Sequence, residues 1–403
     1  MTAGARVDAP VTLPPSPLVL PAPVEPDRLD RILSLARAYF EVPLAAINVL
    51  EGDGACAVRA SGFPPGTTGR RRDTFCDWTQ ALGEAVLVPD ALNDPDFARL
   101  GSVRELGVRF YAGHPLRDGQ GNVVASLCIF DLEPRTLDAT QRATFRDLAE
   151  WAQQELVAAT ELSRAGQIQA SMLPRAPIRT REWQVDGTCL PSLAVGGDFY
   201  DFGLEQDVIH VTLGDVMGKG TGAALLGAGM RSTVRSTRSA VSAGVDLGVT
   251  VTDVGRRQLP DLERAESFVT LFEAAIDLDD GYLRYVDAGL GLCLVVRGDG
   301  TVDQLSSQDR PLGVLPDDHW TELDEVLDPG DRLLLFSDGL LDLLDDQDRW
   351  LDELGALVAD ADDVGSLMAT LRERAATRTA SDDVTAVAVF RGVPGRAPTG
   401  GAA

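Results

Sequence analysis

Histidine is scarce in this chain of 403 residues: His114, His210 and His319 are the only three, and none lies near another in sequence. That scarcity argues against a histidine-rich metal centre and leaves a histidine-dependent triad little to draw on. The five cysteines, Cys56, Cys76, Cys128, Cys189 and Cys293, form no C-x-x-C pair, so neither a zinc ribbon nor a thioredoxin-like motif is present. Cys128 and Cys293 sit in apolar runs and read as small buried hydrophobes. Basic residues number 36 against 62 acidic ones, a net charge of −26. Nucleic acid and anionic membrane both need a basic surface, so neither is expected as a partner. No apolar run approaches the roughly 18–20 residues of a bilayer span. No basic segment followed by an apolar core opens the chain. A reduced, cytoplasmic setting is the expectation.

What is present suffices for large cores: 44% of residues are hydrophobic. The length suggests about two or three domains. Residues 1–26, rich in proline, and the tail 393–403 are expected to be disordered. The region after residue 26 opens with a helical pattern, Leu29, Ile32, Leu33, Leu35, Ala36 and Tyr39 making one apolar face. L-A-A-I-N-V-L, A-C-A-V-R-A-S-G, A-V-L-V-P-D, F-Y-A-G-H-P-L-R and V-V-A-S-L-C-I-F-D follow as strands, with turns at E-G-D-G and R-D-G-Q-G-N. From about 141 to 173 the pattern is helical throughout. Leu148, Ala152, Leu156, Ala159, Leu162, Ala165, Ile168 and Met172 recur near every 3.5 residues, the seam of a coiled coil, so a dimer-forming helix is expected. The plain alternative is one amphipathic helix packed on its own domain.

Beyond about residue 175, many short strands and few helices predict stacked antiparallel sheets flanked by helices, the helices at 220–240, 246–263 and 345–377. Four aspartates stand in short turn-like motifs beside apolar strands: Asp198 in G-G-D-F-Y-D, Asp215 in G-D-V-M-G-K-G, Asp338 in F-S-D-G-L and Asp383 in D-D-V-T. Carboxylates at strand ends can converge on hard cations, and all-oxygen ligation suits Mg²⁺ or Mn²⁺. A two-metal site held by carboxylates points to phosphoryl chemistry. A phosphate-cradling P-loop is excluded at Lys219, because position 213 is Leu and position 220 is Gly. A nucleotide-cyclase G-G-D/E-E-F signature fails at Phe199, where that signature has an acid. Taken singly, each motif is a plain turn; the four together, in this order, carry the reading.

The first region resembles a GAF domain through L-A-A-I-N-V-L, F-C-D-W-T, L-V-P-D-A-L-N-D-P-D-F-A, R-F-Y-A-G-H-P-L and G-N-V-V-A-S-L-C-I-F-D. The resemblance implies a regulatory input with a small ligand it does not name. Nothing near Cys76 supports a bilin attachment, so Cys76 reads as a core cysteine. In the second region G-G-D-F-Y-D, G-D-V-M-G-K-G, S-F-V-T-L-F-E-A, Y-V-D-A-G, R-P-L-G-V, F-S-D-G-L and D-D-V-T resemble, in order, metal-dependent (PPM) serine/threonine protein phosphatases of the stage II sporulation protein E type. The run I-Q-A-S-M-L-P resembles the helix leading into that domain. The implied fold class is α+β in two domains: a GAF-like sheet with helices at 27–145, a helical coiled-coil linker at 146–174, and an antiparallel β-sandwich flanked by helices at 175–392.

The resemblance also implies roles. Asp215 would bridge two ions of Mn²⁺ or Mg²⁺, with the Val216 carbonyl on one and Asp338 and Asp383 on the other. Asp198 would hold the attacking water, making Asp198 and Asp215 the catalytic pair. The implied substrate is a phosphorylated anti-sigma factor antagonist of the STAS fold, dephosphorylated without a phosphoenzyme by a homodimer. The chain departs from the family at Leu290, where relatives usually have His. That leaves a weak or inactive sensor or scaffold as the alternative reading.

Overall fold

The computed structural model describes residues 28–51, 54–62, 68–70 and 74–393. The expectations for residues 1–26 and for the tail beyond 393 lie outside them. Internal contacts divide the chain into two units, Met1–Ser163 and Arg164–Ala403.

The first unit runs α1 (Arg28–Phe40), β1 (Leu44–Glu51), β2 (Gly54–Ser61), β3 (Thr68–Arg70), α2 (Phe75–Leu82), β4 (Val86–Val88), α3 (Gly101–Arg104), β5 (Phe110–Arg117), β6 (Val123–Asp131) and the part of α4 (Ala139–Met172) up to Ser163, the rest of that helix belonging to the second unit. Its strands form one antiparallel sheet in the order β3-β2-β1-β6-β5-β4. Period-two alternation gives the sheet two apolar faces. Ala45, Ile47, Val49, Leu127 and Ile129 join the core with α1 and α4, while Ala46, Cys128, Phe130 and Tyr111 pack with Phe75 of α2 on the other face. In α1 the buried stripe is Leu29, Ile32, Leu33, Ala36 and Phe40. Leu35 and Tyr39, expected on that face, are exposed, because at 100° per residue they fall off the stripe.

In α4 the leading part of the expected seam is used at home: Phe145, Leu148, Ala149, Ala152 and Leu156 bury in the first unit's own core. Further along, Ile168 and Met172 are exposed.

The second unit continues with β7 (Ile178–Arg179), β8 (Trp183–Leu190), β9 (Phe199–Glu205), β10 (Val208–Val216), α5 (Thr221–Arg235), α6 (Arg238–Ser242), α7 (Leu247–Arg264), β11 (Val269–Asp277), β12 (Tyr282–Ala288), β13 (Cys293–Val296), β14 (Val302–Leu305), β15 (Leu323–Val326), β16 (Arg332–Phe336), α8 (Trp350–Asp360), α9 (Val364–Thr377) and β17 (Val384–Arg391). Two antiparallel sheets, β15-β12-β11-β10-β9 and β14-β13-β16-β17-β8-β7, stack on each other. Ile209, Val211, Leu213, Phe272, Leu333, Leu335, Val387 and Val389 fill the space between them. Helices α5 and α7 cover the outer face of the first sheet and α8 and α9 that of the second.

The helix expected at 220–240 is broken, because Ser236 and Thr237 hydroxyls bond back to the carbonyls of Thr233 and Val234. The stretch expected at 345–377 splits where Asp363 and Ser366 form a capping box that starts α9 anew.

Candidate active site

The four aspartate motifs meet at one end of the sandwich. Asp198 immediately precedes β9, and Asp215 and Val216 close β10. Asp215 follows Ile209, Val211 and Leu213 on the inward face of β10, so the alternation that builds the core also aims this carboxylate at the sandwich end. Asp338 opens a 3₁₀ turn, Asp338–Leu343, one residue (Ser337) beyond the end of β16. Asp382 and Asp383 directly precede β17.

A serine locks the last two motifs together. Ser337 Oγ donates to the Asp383 carbonyl (3.1 Å) and accepts from Thr385 N (2.9 Å). Gly339 makes that approach possible: a Cβ there would lie 2.2 Å from the Asp383 carbonyl oxygen. Gly197 does the same for the Val216 carbonyl, which a Cβ would meet at 2.7 Å.

The structure separates the two aspartates of D-D-V-T. Both oxygens of Asp383 are taken by the loop before β9: Oδ1 accepts from Ser192 N (2.7 Å) and Ser192 Oγ (3.1 Å), Oδ2 from Gly197 N (2.8 Å) and Asp198 N (3.4 Å). Asp383 is buried and tethers that loop, which leaves no free oxygen of the kind its expected metal role requires. Its neighbour Asp382 is half-exposed and faces Lys219 Nζ at 3.1 Å. Lys219, which also donates to the Ser381 carbonyl (2.6 Å), is the only lysine among the chain's 36 basic residues. Sequence reasoning passed over Asp382, and it passed over Gln169 near the end of α4. Gln169 Nε2 donates to the Gly196 carbonyl (2.7 Å), and Gly196 N donates to Gln169 Oε1 (3.2 Å), so this side chain pins the loop that carries Asp198.

The electrostatics are those of crowded carboxylates. Burial, then the charge of Asp215, pushes the Asp198 carboxyl well above its ordinary range. Burial and then Asp338 push Asp215 up to about 6, against a hydrogen bond with Asp198 that pulls it down. Burial and then Asp382 raise Asp338. Asp198 Oδ2 is buried without a hydrogen-bond partner. Among the described residues no group of three or more histidine, cysteine, aspartate or glutamate side chains is placed so that it could hold a metal ion. The fit to a metal is therefore one of charge and donor type: an all-oxygen set with an orphaned buried oxygen and one lysine as counter-charge suits hard divalent cations completed by water. Leu290 packs partly buried against the inter-sheet core, and its N–H donates to Asp287 Oδ1 (2.8 Å).

Comparison with known proteins finds similarity in both regions of the chain. The family profile described as Stage II sporulation protein E (SpoIIE) matches residues 205–391, and that of the GAF domain matches residues 26–156. Protein IcfG of Synechocystis sp. is 28% identical over 206 residues, covering 45% of this chain and 32% of that protein. The phosphoserine phosphatase RsbU of Bacillus subtilis is 26% identical over 189 residues, 47% of this chain and 55% of that protein. A crystal structure of the RsbU and RsbW domains of a Mycobacterium tuberculosis protein aligns with TM-score 0.46 and 25% identity, covering 57% of this chain and 63% of that one. The chain thus spans about a third and about half of the two curated relatives. It carries, in this order, a segment similar to the GAF domain and a segment similar to stage II sporulation protein E.

Proposed function

We propose that the second unit hydrolyses phosphoserine or phosphothreonine on a protein with two ions of Mn²⁺ or Mg²⁺. The observation that carries this reading is the gathering of Asp198, Asp215 and Asp338 at one sandwich end, each held above its ordinary pKa by burial and a neighbouring carboxylate. Asp215 would be shared between the ions, with the Val216 carbonyl on one and Asp338 on the other. Asp382, not Asp383, would complete the second set, since Asp383 serves as the tether of the 192–198 loop. Bound, the ions would supply an activated water and a counter-charge for the phosphoryl oxygens.

The chain's own groups have separate tasks. Asp198 is buried near the charge of Asp215 with its Oδ2 unpartnered, which suits Asp198 to orienting water and holding its proton. Lys219 lies beside Asp382 and would meet a phosphoryl oxygen as a point charge. The phosphorylated substrate would be an anti-sigma factor antagonist of the STAS fold, and the GAF domain would regulate its turnover through a small ligand. A homodimer would associate through the later part of α4, where Ile168 and Met172 are exposed. The four described cysteines are free, as a cytoplasmic setting expects.

The test is release of phosphate from a phosphoserine peptide and from a generic phosphate ester, with Mn²⁺ and with excess chelator. Undiminished activity in chelator overturns the reading.

A further inference from the structure

The first unit holds a chemical site of its own, independent of the phosphatase reading. Cys76, near the start of α2, and Cys128, in the middle of β6, meet under α2 with their sulfurs 3.6 Å apart. Both thiols are free, and they are 3% and 0% exposed. They sit among Phe75, Phe97 and Phe130 yet belong to a chain of polar groups. Asn48 Nδ2 donates to Cys76 Sγ (3.0 Å). The Tyr111 hydroxyl lies 3.3 Å from Cys128 Sγ and 2.6 Å from Thr79 Oγ1, and Ser126 Oγ lies 3.4 Å from Cys128 Sγ.

Two cysteines that served only as hydrophobes would need no such shell. Buried hydroxyls and an amide are costly in an aromatic core unless they have partners. Here the partners include the sulfurs, and the effect is asymmetric. Burial pushes the Cys128 thiol up, but hydrogen bonding with Cys76, Ser126 and Tyr111 brings it below its ordinary value. The hydrogen bond with Cys128, then burial, holds Cys76 well above it. Thiolate character makes a sulfur nucleophilic, and a second thiol in contact can resolve the product.

We propose that Cys76 and Cys128 are an oxidation site at which hydrogen peroxide converts the pair into an intramolecular disulfide. The Cys128 sulfur attacks the outer peroxide oxygen. The O–O bond breaks, the sulfur is oxidised to a sulfenic acid, and the leaving oxygen takes the thiol proton to become water. The Cys76 sulfur then attacks the Cys128 sulfur, the S–O bond breaks, and the departing hydroxyl takes the Cys76 proton as a second water. Two thiols and one peroxide give one disulfide and two waters. The sulfurs must close from 3.6 Å to about 2 Å, which draws the start of α2 onto the sheet. β6 leads through a short connection into α4, so the oxidised joint lies one element from the helix that enters the second unit. Because both sulfurs lie under α2, the reaction proceeds through opening of that helix and is slower than that of an exposed thiol.

The full chain is exposed to hydrogen peroxide, quenched, unfolded, alkylated and mapped by peptide mass. The expected result is loss of two alkylatable cysteines and a dithiothreitol-reversible cross-link between the Cys76 and Cys128 peptides. With a sulfenic-acid trap present, Cys76→Ser should give an adduct on Cys128, whereas Cys128→Ser should give none on Cys76. The proposal is overturned if both cysteines stay fully alkylatable at peroxide levels that oxidise an exposed control thiol. It is equally overturned if the cross-link joins other cysteines. The mapping uses the unmutated chain, so it decides the matter even where a serine variant fails to fold.

Discussion

Replacing the adjacent aspartates 382 and 383 one at a time should give opposite results. Asp383 accepts backbone N–H bonds from Ser192 (2.7 Å) and Gly197 (2.8 Å), both charge-assisted and sequestered from water. A hydrogen bond to a charged group contributes about 1.5–3 kcal/mol, so Asp383→Ala, which removes both, should destabilise the metal-free second unit by about 3–6 kcal/mol. Asp383→Asn keeps one acceptor oxygen but turns an NH₂ toward a donor, which costs about half as much. Asp382 has a side chain 42% exposed, and its partner Lys219 is 46% exposed. An exposed pair of that kind contributes about 1 kcal/mol or less, so Asp382→Asn should leave stability nearly unchanged. Metal binding should invert the order. Loss of a group one step removed from a metal already lowers affinity about 10–100-fold, so loss of Asp382 should lower Mn²⁺ affinity by at least that much. The assays are urea unfolding in chelator and Mn²⁺ titration of folded protein by calorimetry. If Asp382→Asn bound Mn²⁺ like the parent, while Asp383→Asn stayed as stable as the parent and lost Mn²⁺, the reasoning from the loop tether would be refuted.

Asp215→Asn, at the proposed shared ligand, should lower turnover more than any other single change at the site, and near-parental turnover and metal affinity would show the assignment to be wrong. Glu273, fully buried beside Thr212, has its carboxyl pushed by burial from 4.5 up to about 7. A raised acid binds more protons folded than unfolded, so its contribution is fully present below about pH 4.5 and lost as pH rises to about 7, about 3 kcal/mol in all. The difference in unfolding free energy between Glu273→Gln and the parent should therefore grow in the variant's favour across that window, and a flat difference curve would count against it. Leu290→His should change the rate by less than about tenfold, about 1.4 kcal/mol in barrier, because Leu290 packs on the core; a gain of several hundredfold would mark a degraded enzyme. Leu156→Ala should destabilise the first unit by about 2–5 kcal/mol, since Leu156 is 1% exposed in that unit's own core, and a loss of dimer with unchanged stability would restore it to the seam.

The features legible in the sequence were those set by nearby residues. Turn glycines beside an aspartate at the end of an apolar run place a carboxylate at a strand end whatever lies elsewhere, so the strand-end positions of Asp198, Asp215 and Asp338 were legible, although only the motifs taken together pointed to a site. The choice within D-D-V-T was not local. It depends on which carboxylate meets Ser192 and Gly197, 191 and 186 residues away in sequence, and adjacent residues before a strand differ only in the face they take. Lys219 did leave a compositional signal, being the only lysine in a chain whose other basic residues are all arginine. The α4 stripe illustrates the converse. Its period was visible, but a period states that a face is covered and not what covers it, and Leu148, Ala152 and Leu156 are covered by the first unit itself.

The same distinction explains why the cysteines of the first unit read as inert. Cys128 lies in an apolar run and Cys76 beside a phenylalanine, and from either segment alone a small buried hydrophobe is the right inference. Their contact follows from register. Cys128 pairs with Ala46 in β1, two residues before Asn48, and β5 places Tyr111 beside Phe130, two residues beyond Cys128. Strand alternation therefore brings Asn48, Ser126, Cys128 and Tyr111 to one face of the sheet, where α2 sets Cys76 and Thr79 against them. In both units, chemistry-bearing side chains are gathered by sheet register and turned toward one another by the same alternation that buries the core. The residues whose partners lie a strand or a sheet away are those for which sequence alone gave the wrong neighbour.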